Sequence, residues 1–203
     1  MADPLARILN LPAPDLLIGS VAVVTLWGWL FKPLQRALVL SPFRVRYRGE
    51  VYRLATAGWV HVGLLHLVCN MFTLHFFAGE SMQVLGVTRF LFLYLTAVVV
   101  SFIPTTLRYQ NDPGYTSLGA SGAVMAVVFS AILLHPKLKL YVLFFPVPGA
   151  MFAALYLAYS ITHSLSSAER VNHEAHAAGA IYGALLSYLF EPTRVERALR
   201  TLW

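Results

Sequence analysis

The sequence predicts an all-α membrane protein, a bundle of six transmembrane helices within one domain over residues 1–203. Two properties of the chain carry this prediction. Hydrophobic residues make up 58% of it and charged residues only 12%, about half the charged share of a typical soluble domain. Six charge-free stretches also have roughly the 17–25 residues of a membrane-spanning helix, or fall only slightly short of that length.

The predicted spans follow one another with mostly short connections. We expect helices over about 16–31, 58–79, 90–107, 117–135, 140–162 and 175–190. The longest connection, 32–53, is basic and has an apolar patch, so we expect it to lie partly in the membrane interface; a solvated basic loop is the alternative. Pro146 and Pro148 predict that the fifth span is kinked or starts late.

The composition also limits the partners. The net charge is +6 and the pI about 9.7. A soluble nucleic-acid-binding protein of this size would, however, carry a larger share of charged residues. We therefore expect the lipid bilayer, and no nucleic acid, around the chain. The first residues do not resemble a signal or transit peptide, which leads us to expect a bacterial cytoplasmic (inner) membrane. The sequence makes no prediction of the oligomeric state.

Strongly polar residues occur near the N-terminal ends of alternate spans. His66 and Asn70 lie in the second span, Ser121 in the fourth and His176 in the sixth. Polar groups within a membrane are costly and usually functional. The even-numbered spans run in the same direction, so these four groups are expected at a similar depth. The sequence therefore predicts one shared site that opens to one side of the membrane.

The residue types at this site indicate a serine nucleophile with a histidine base. Gly122 in the fourth span and Gly179 and Gly183 in the sixth are small enough to let the two helices approach closely. A serine with a histidine in reach is the minimal activated nucleophile. Because Glu174 is expected to face away from His176, a Ser–His dyad is favoured over a triad.

Four motifs in this order resemble the rhomboid family of intramembrane serine proteases. They are Tyr52-Arg53, His61-x4-His66-x3-Asn70, Gly119-Ala120-Ser121-Gly122 and His176-x2-Gly179-x3-Gly183. The resemblance covers roughly residues 51–190. It implies a six-transmembrane-helix rhomboid-like bundle that needs no cofactor and no metal. It also implies that the substrates are transmembrane segments of other proteins.

The resemblance assigns a role to each matching residue. Ser121 would be the nucleophile and His176 the general base and then acid. The oxyanion hole would comprise His66, Asn70 and the backbone N–H groups near Ala120 and Ser121. Structural support would come from His61, Arg53, Gly119, Gly122, Gly179 and Gly183. One departure is Met125, where many relatives have a tyrosine stacked on the catalytic histidine; a thioether can still support the ring edge.

Three other interpretations are weighed against this one. A proteolytically inactive rhomboid-like protein that binds membrane clients would typically lack the serine or the histidine, and this chain has both. A transporter would carry its polar groups at several depths. A metal site at His173, Glu174 and His176 lacks the HExxH spacing. Under the protease interpretation, the fifth span is a candidate gate for sideways substrate entry.

Overall fold

The computed structural model describes residues 12–142, 144–164 and 171–200, and this part of the chain is mostly helical. In chain order, the elements are α1 Ala13–Leu30, α2 Lys32–Leu38, α3 Pro42–Arg48, α4 Arg53–Thr56, a 3₁₀ turn Ala57–Trp59, α5 Leu64–Ser101, α6 Ile103–Tyr109, α7 Ser121–Leu134, β1 Lys139–Val142, β2 Phe145–Pro148, α8 Gly149–Ser164, α9 His173–Phe190 and α10 Pro192–Arg200.

Two helical stretches within the described residues are long and apolar enough to cross a membrane. They are Ala13–Leu30, with 18 residues, and Leu64–Tyr109, with 46. The apolar helix α7 is shorter, with 14 residues. These lengths bear out a strongly apolar helical protein, whereas the number of six spans stays a prediction.

Helix α5 bends sharply at Gly86, where φ is 73° and ψ is 167°. Glycine adopts this backbone conformation without the steric cost that a Cβ atom would add. The segments 64–85 and 87–101 are therefore two helices joined at one residue. Both helices continue past the predicted span limits at 79 and 90 to this glycine, and the limits of the spans themselves stay predictions.

The second predicted span also starts later than expected, because residues 60–63 are not helical. This irregular backbone is held by side chains instead. The carbonyl oxygen of His61 accepts hydrogen bonds from the Trp29 indole at 2.7 Å and from the Gln35 amide at 3.3 Å. Buried backbone groups outside regular structure need such partners. Helix α5 itself begins at Leu64, after this irregular segment.

A β-hairpin at 139–148 replaces the predicted start of the fifth span. Strands β1 and β2 pair antiparallel, with Tyr141 opposite Pro146 and Lys139 opposite Pro148. Proline has no N–H to donate and disfavours helical backbone in the residue before it. The prediction of helix from residue 140 was therefore wrong, and α8 begins only at Gly149, the delayed start that the prolines indicated. Leu143, within that predicted span, lies outside the described residues.

The basic connection 32–53 forms short helices that Arg53 holds in place. This side chain is only 2% exposed. Its guanidinium donates to the carbonyl oxygens of Arg36 at 3.0 Å and Val39 at 2.7 Å. Arg53 also binds the Glu50 carboxylate at 2.5 Å, and this bond holds the pKa of Glu50 below its ordinary value of 4.5. This segment is thus helical over much of its length, and its place in the membrane interface stays a prediction.

Helix α7 lies at the centre of the fold, packed between α5 and α9, and nearly all its side chains are buried. Small residues bring α7 and α9 into backbone contact. A Cβ atom added at Gly179 would overlap the carbonyl oxygen of Gly122, and one added at Gly183 would overlap that of Ala126. This contact fixes the start of α9 beside the start of α7.

Candidate active site

Ser121 is the first residue of α7. The chain enters this helix through Gly119, whose φ is 122°. A Cβ atom at Gly119 would come within 2.6 Å of the His66 ring, so only glycine fits here. The first N–H groups of a helix have no acceptor within it, and the helix dipole makes this end partly positive. The backbone at Ser121 thus provides a hydrogen-bond donor next to its own hydroxyl.

His176 and Ser121 meet across the interface between α7 and α9. Nε2 of His176 lies 2.6 Å from Oγ of Ser121, within hydrogen-bond distance. Both residues are half-buried and line the same cavity. The histidine sits in the first turn of α9, so the contact depends on where that helix starts.

Asn172 sets the start of α9 and was missed by the sequence analysis. Its Oδ1 accepts from the Ala175 N–H at 3.0 Å, as a helix N-cap does, and from the Thr105 hydroxyl at 2.9 Å. Its amide donates to the Ser117 hydroxyl at 3.0 Å. An asparagine directly before a helical stretch is a recognisable capping signal. Asn172 therefore ties the helix of His176 to α6 and to the loop before Ser121.

Tyr156 on α8 is the second residue that the sequence analysis missed. Its hydroxyl lies 3.1 Å from Nδ1 of His176, the ring nitrogen that faces away from Ser121. The two rings are nearly parallel, with 27° between their planes and 6.4 Å between their centroids. Tyr156 lies in an uninterrupted apolar stretch and belongs to no motif, so the sequence held no signal for this contact.

His61 is fully buried. It supports the start of α7 through a hydrogen bond to the backbone of Ala120, and not through Ser121. Its Nε2 accepts from the Ala120 N–H at 3.2 Å, and its Nδ1 lies 3.1 Å from the Thr25 hydroxyl. Because the Thr25 hydroxyl donates to the Trp59 carbonyl oxygen at 3.0 Å, Nδ1 of His61 must carry the proton. The Ala120 N–H thus already has a hydrogen-bond partner, and its predicted place among the oxyanion donors stays a prediction.

His66 and Asn70 line the same cavity as Ser121 and His176, which has a volume of about 720 Å³. The two residues occupy one face of α5, four positions apart. One N–H of the Asn70 amide donates to the His66 carbonyl oxygen at 2.9 Å. A carboxamide has two N–H groups, so the second is available to a ligand. The structure thus brings together the four polar residues of the even-numbered predicted spans.

Two further sequence expectations concern the surroundings of His176. Met125 lines the cavity, whereas the aromatic ring beside His176 is that of Tyr156, which meets the imidazole through its hydroxyl. Glu174 binds Arg108 and not His176, as expected of a residue that faces away.

Within residues 12–142, 144–164 and 171–200, no three His, Cys, Asp or Glu side chains are grouped to hold a metal ion.

Comparison with known protein families gives the identity of the fold. The model of the rhomboid domain matches residues 48–193, about seven tenths of the chain. The chain belongs to the rhomboid family. The matched range contains each of the motifs that carried the resemblance, from Tyr52-Arg53 to Gly183.

This rhomboid is similar to several known protein sequences. It is 26% identical to RHOMBOID-like protein 12, mitochondrial, of Arabidopsis thaliana over 84% of this chain and 55% of the relative. It is 30% identical to presenilin-associated rhomboid-like protein A, mitochondrial, of Danio rerio over 82% of this chain and 45% of the relative. The mouse protein of similar name is 30% identical over 61% of this chain and 34% of the relative. The chain thus spans about half the length of the relatives it matches.

The expectation of a bacterial cytoplasmic membrane was wrong. The relatives are plant and animal proteins whose names place them in mitochondria. The expectation rested on the absence of a recognisable targeting segment. That is a weak basis for this rhomboid, because its sequence matches between about a third and just over half of each of these relatives.

Proposed function

We propose that this rhomboid is an intramembrane serine endopeptidase that cleaves transmembrane segments of membrane proteins with Ser121 and His176. One observation carries the proposal. The 2.6 Å separation between Nε2 of His176 and Oγ of Ser121 occurs inside a cavity that also contains polar hydrogen-bond donors. A serine hydroxyl is a weak nucleophile, and a base at this distance activates it.

The chemistry proceeds in two stages. His176 takes the proton of the Ser121 hydroxyl as Oγ forms a bond to the carbonyl carbon of the substrate. The C–N bond then breaks, and His176 gives that proton to the leaving amine. A water molecule next attacks the acyl-enzyme while His176 takes its proton. The acid product leaves as that proton returns to Oγ of Ser121.

The negative charge on the substrate carbonyl oxygen is stabilised by donors around Ser121. These are the Ser121 N–H at the start of α7, the free N–H of the Asn70 amide and the His66 ring. Donors fixed in position before the reaction stabilise such a charge strongly, because they need no reorganisation. His61 contributes indirectly, by holding the backbone at Ala120.

The surroundings of the site suit a substrate that arrives from the lipid. A second, mostly apolar groove of about 670 Å³ lies between α5 and the β-hairpin with α8. Thr73 and Met125 line both this groove and the cavity of Ser121, so the two spaces adjoin. Large apolar side chains such as Trp27 and Phe72 are more than 60% exposed, as expected of surfaces in contact with lipid.

We propose accordingly that six helical segments span the bilayer: α1, the two parts of α5, α7, α8 and α9. In this arrangement, α8 and the hairpin form the movable side of the substrate entrance. A covalent cross-link between α8 and the first part of α5 should then reduce cleavage of a membrane-embedded substrate. Full cleavage by the cross-linked protein would contradict a gate at this position.

Cleavage by purified protein in liposomes tests the proposed activity. The substrate is a single-span reporter protein, and its products are identified by mass spectrometry. Wild type should cut within the transmembrane segment, whereas Ser121→Ala and His176→Ala should not. Ser20→Ala and His75→Ala, which change the same residue types outside the cavity, should retain activity. Cleavage that persists in Ser121→Ala would overturn the proposal, and so would a wild type that binds the reporter without cutting it.

A further inference from the structure

We infer that Tyr156 is a positioning residue of the catalytic pair, acting as the third member of a Ser121–His176–Tyr156 chain. The inference rests on the proposed function and adds to it the residue that orients the base. A serine protease needs a group that holds its histidine in one tautomer and orientation, and this is commonly a carboxylate. Here Glu174, the acidic residue nearest to His176 in sequence, binds Arg108 instead.

The proposed reaction fixes the direction of each proton between Ser121, His176 and Tyr156. For Nε2 of His176 to accept the Ser121 proton, the neutral ring must carry its own proton on Nδ1. The Tyr156 oxygen, 3.1 Å from Nδ1, is therefore the acceptor of this N–H. When the ring takes up the serine proton, both nitrogens become donors, and the same phenol oxygen continues to accept from the imidazolium ion.

The Tyr156 ring is itself held in place by two aromatic neighbours. It stacks on Phe152, with 5.5 Å between the ring centroids, and its centroid lies 6.2 Å from that of Phe129 on α7. Ser160, one turn further along α8, is fully buried. A tyrosine locked by neighbours in this way restricts the imidazole to one orientation.

Tyr156 also provides the ring contact that the sequence pattern lacks. Met125 occupies the position where many rhomboids carry a tyrosine, and that position is in α7. In this chain the aromatic ring against His176 comes from α8. Because α8 lines the proposed substrate entrance, movement of α8 would change the orientation of the base.

The test compares Tyr156→Phe, which keeps the ring and removes the hydroxyl, with Tyr182→Phe. The control removes a phenol hydrogen bond to Thr96 at 2.8 Å, outside the cavity. Three quantities are measured for full-length protein in detergent or liposomes: kcat and KM for the reporter, the rate of Ser121 labelling by a fluorophosphonate, and Tm.

Tyr156→Phe should lower kcat and the labelling rate by about 10- to 100-fold, the effect of losing one hydrogen bond to a charged group. KM and Tm should stay close to wild type, and Tyr182→Phe should leave both rates unchanged. Wild-type rates in Tyr156→Phe would overturn the inference alone, as would an equal loss in Tyr182→Phe. A fall in Tm that accounts for the lost rate would assign Tyr156 a purely structural role and would also overturn it. Wild type that neither cleaves nor reacts with the probe would overturn the proposed function and this inference together.

Discussion

The backbone N–H of Ala120 donates a hydrogen bond to Nε2 of His61, with 3.2 Å between the two nitrogens. The residue next to the candidate nucleophile is thereby tied to a buried histidine 59 positions earlier in the chain. The same imidazole contacts the Thr25 hydroxyl on α1. One neutral ring thus connects α1, the irregular segment before α5 and the start of α7.

Replacing His61 should therefore destabilise the protein as well as reduce its activity. His61→Ala leaves the buried Ala120 N–H and Thr25 hydroxyl with one partner fewer, at a cost of about 1–3 kcal/mol for each group left unpaired. Tm and the rate of reporter cleavage should both fall. Thr25→Val removes only the hydroxyl end of this chain of bonds and should have a smaller effect. Wild-type Tm in His61→Ala would contradict the role given to this histidine.

A methyl group at Gly179 should separate α7 from α9. The added carbon would overlap the Gly122 carbonyl oxygen, and overpacking of this kind costs about 1–3 kcal/mol. Since His176 lies one turn earlier on α9, Gly179→Ala should also displace it from Ser121, and a shift of about 1 Å can reduce a rate about 100-fold. Gly79→Ala is the matched control, because a Cβ atom there meets nothing within 4 Å. Equal Tm and equal cleavage in the two variants would exclude a tight contact at Gly179.

His66 and Asn70 should each contribute to turnover more than to stability. If each donates to the charged carbonyl oxygen of the substrate, His66→Ala and Asn70→Ala should each lower kcat about 10²–10³-fold. Labelling by a fluorophosphonate should fall too, because its phosphoryl oxygen occupies the same position. His75→Ala, which changes an exposed histidine of the same helix, is the control. Undiminished kcat in both site variants would remove them from the oxyanion hole.

The contact between Glu50 and Arg53 should make stability depend on pH in the acid range. The pKa of Glu50 lies below its ordinary value of 4.5 because Arg53 binds the carboxylate. A depressed pKa stabilises the fold at pH values above 4.5, and this contribution disappears as the pH falls through the folded-state value. Glu50→Gln should therefore have a lower Tm than wild type at pH 7, and the difference should vanish at strongly acidic pH. A constant difference in Tm between Glu50→Gln and wild type at all pH values would contradict the account.

The grouping of Ser121, His176, His66 and Asn70 could be predicted because it follows from chain direction. Polar residues near the start of alternate predicted spans are expected at one side of the membrane. This holds even if the predicted start of each helix is in error by about one turn. Close approach of α7 and α9 likewise follows from small residues at helical spacing. Both inferences need only residue types and their order.

Other features depend on contacts that the sequence does not express. Hydropathy does not separate a hairpin from a helix in the apolar run around Pro146 and Pro148, and only the prolines pointed to the late start of α8. The predicted spans left residues 80–89 as a connection, whereas the backbone departs from helix only at Gly86. The contact of Tyr156 with His176 depends on how α8 leans against α9, which no motif encodes.

Covalent labelling with a fluorophosphonate, followed by mass spectrometry of the modified peptide, tests most directly whether Ser121 is an activated nucleophile. The protein is labelled in liposomes, with Ser121→Ala, His176→Ala and Ser20→Ala treated in parallel. We expect the probe on Ser121 in wild type and in Ser20→Ala, and none on Ser121→Ala or His176→Ala. Labelling at another serine, or equal labelling of the His176→Ala variant, would contradict a catalytic pair formed by Ser121 and His176.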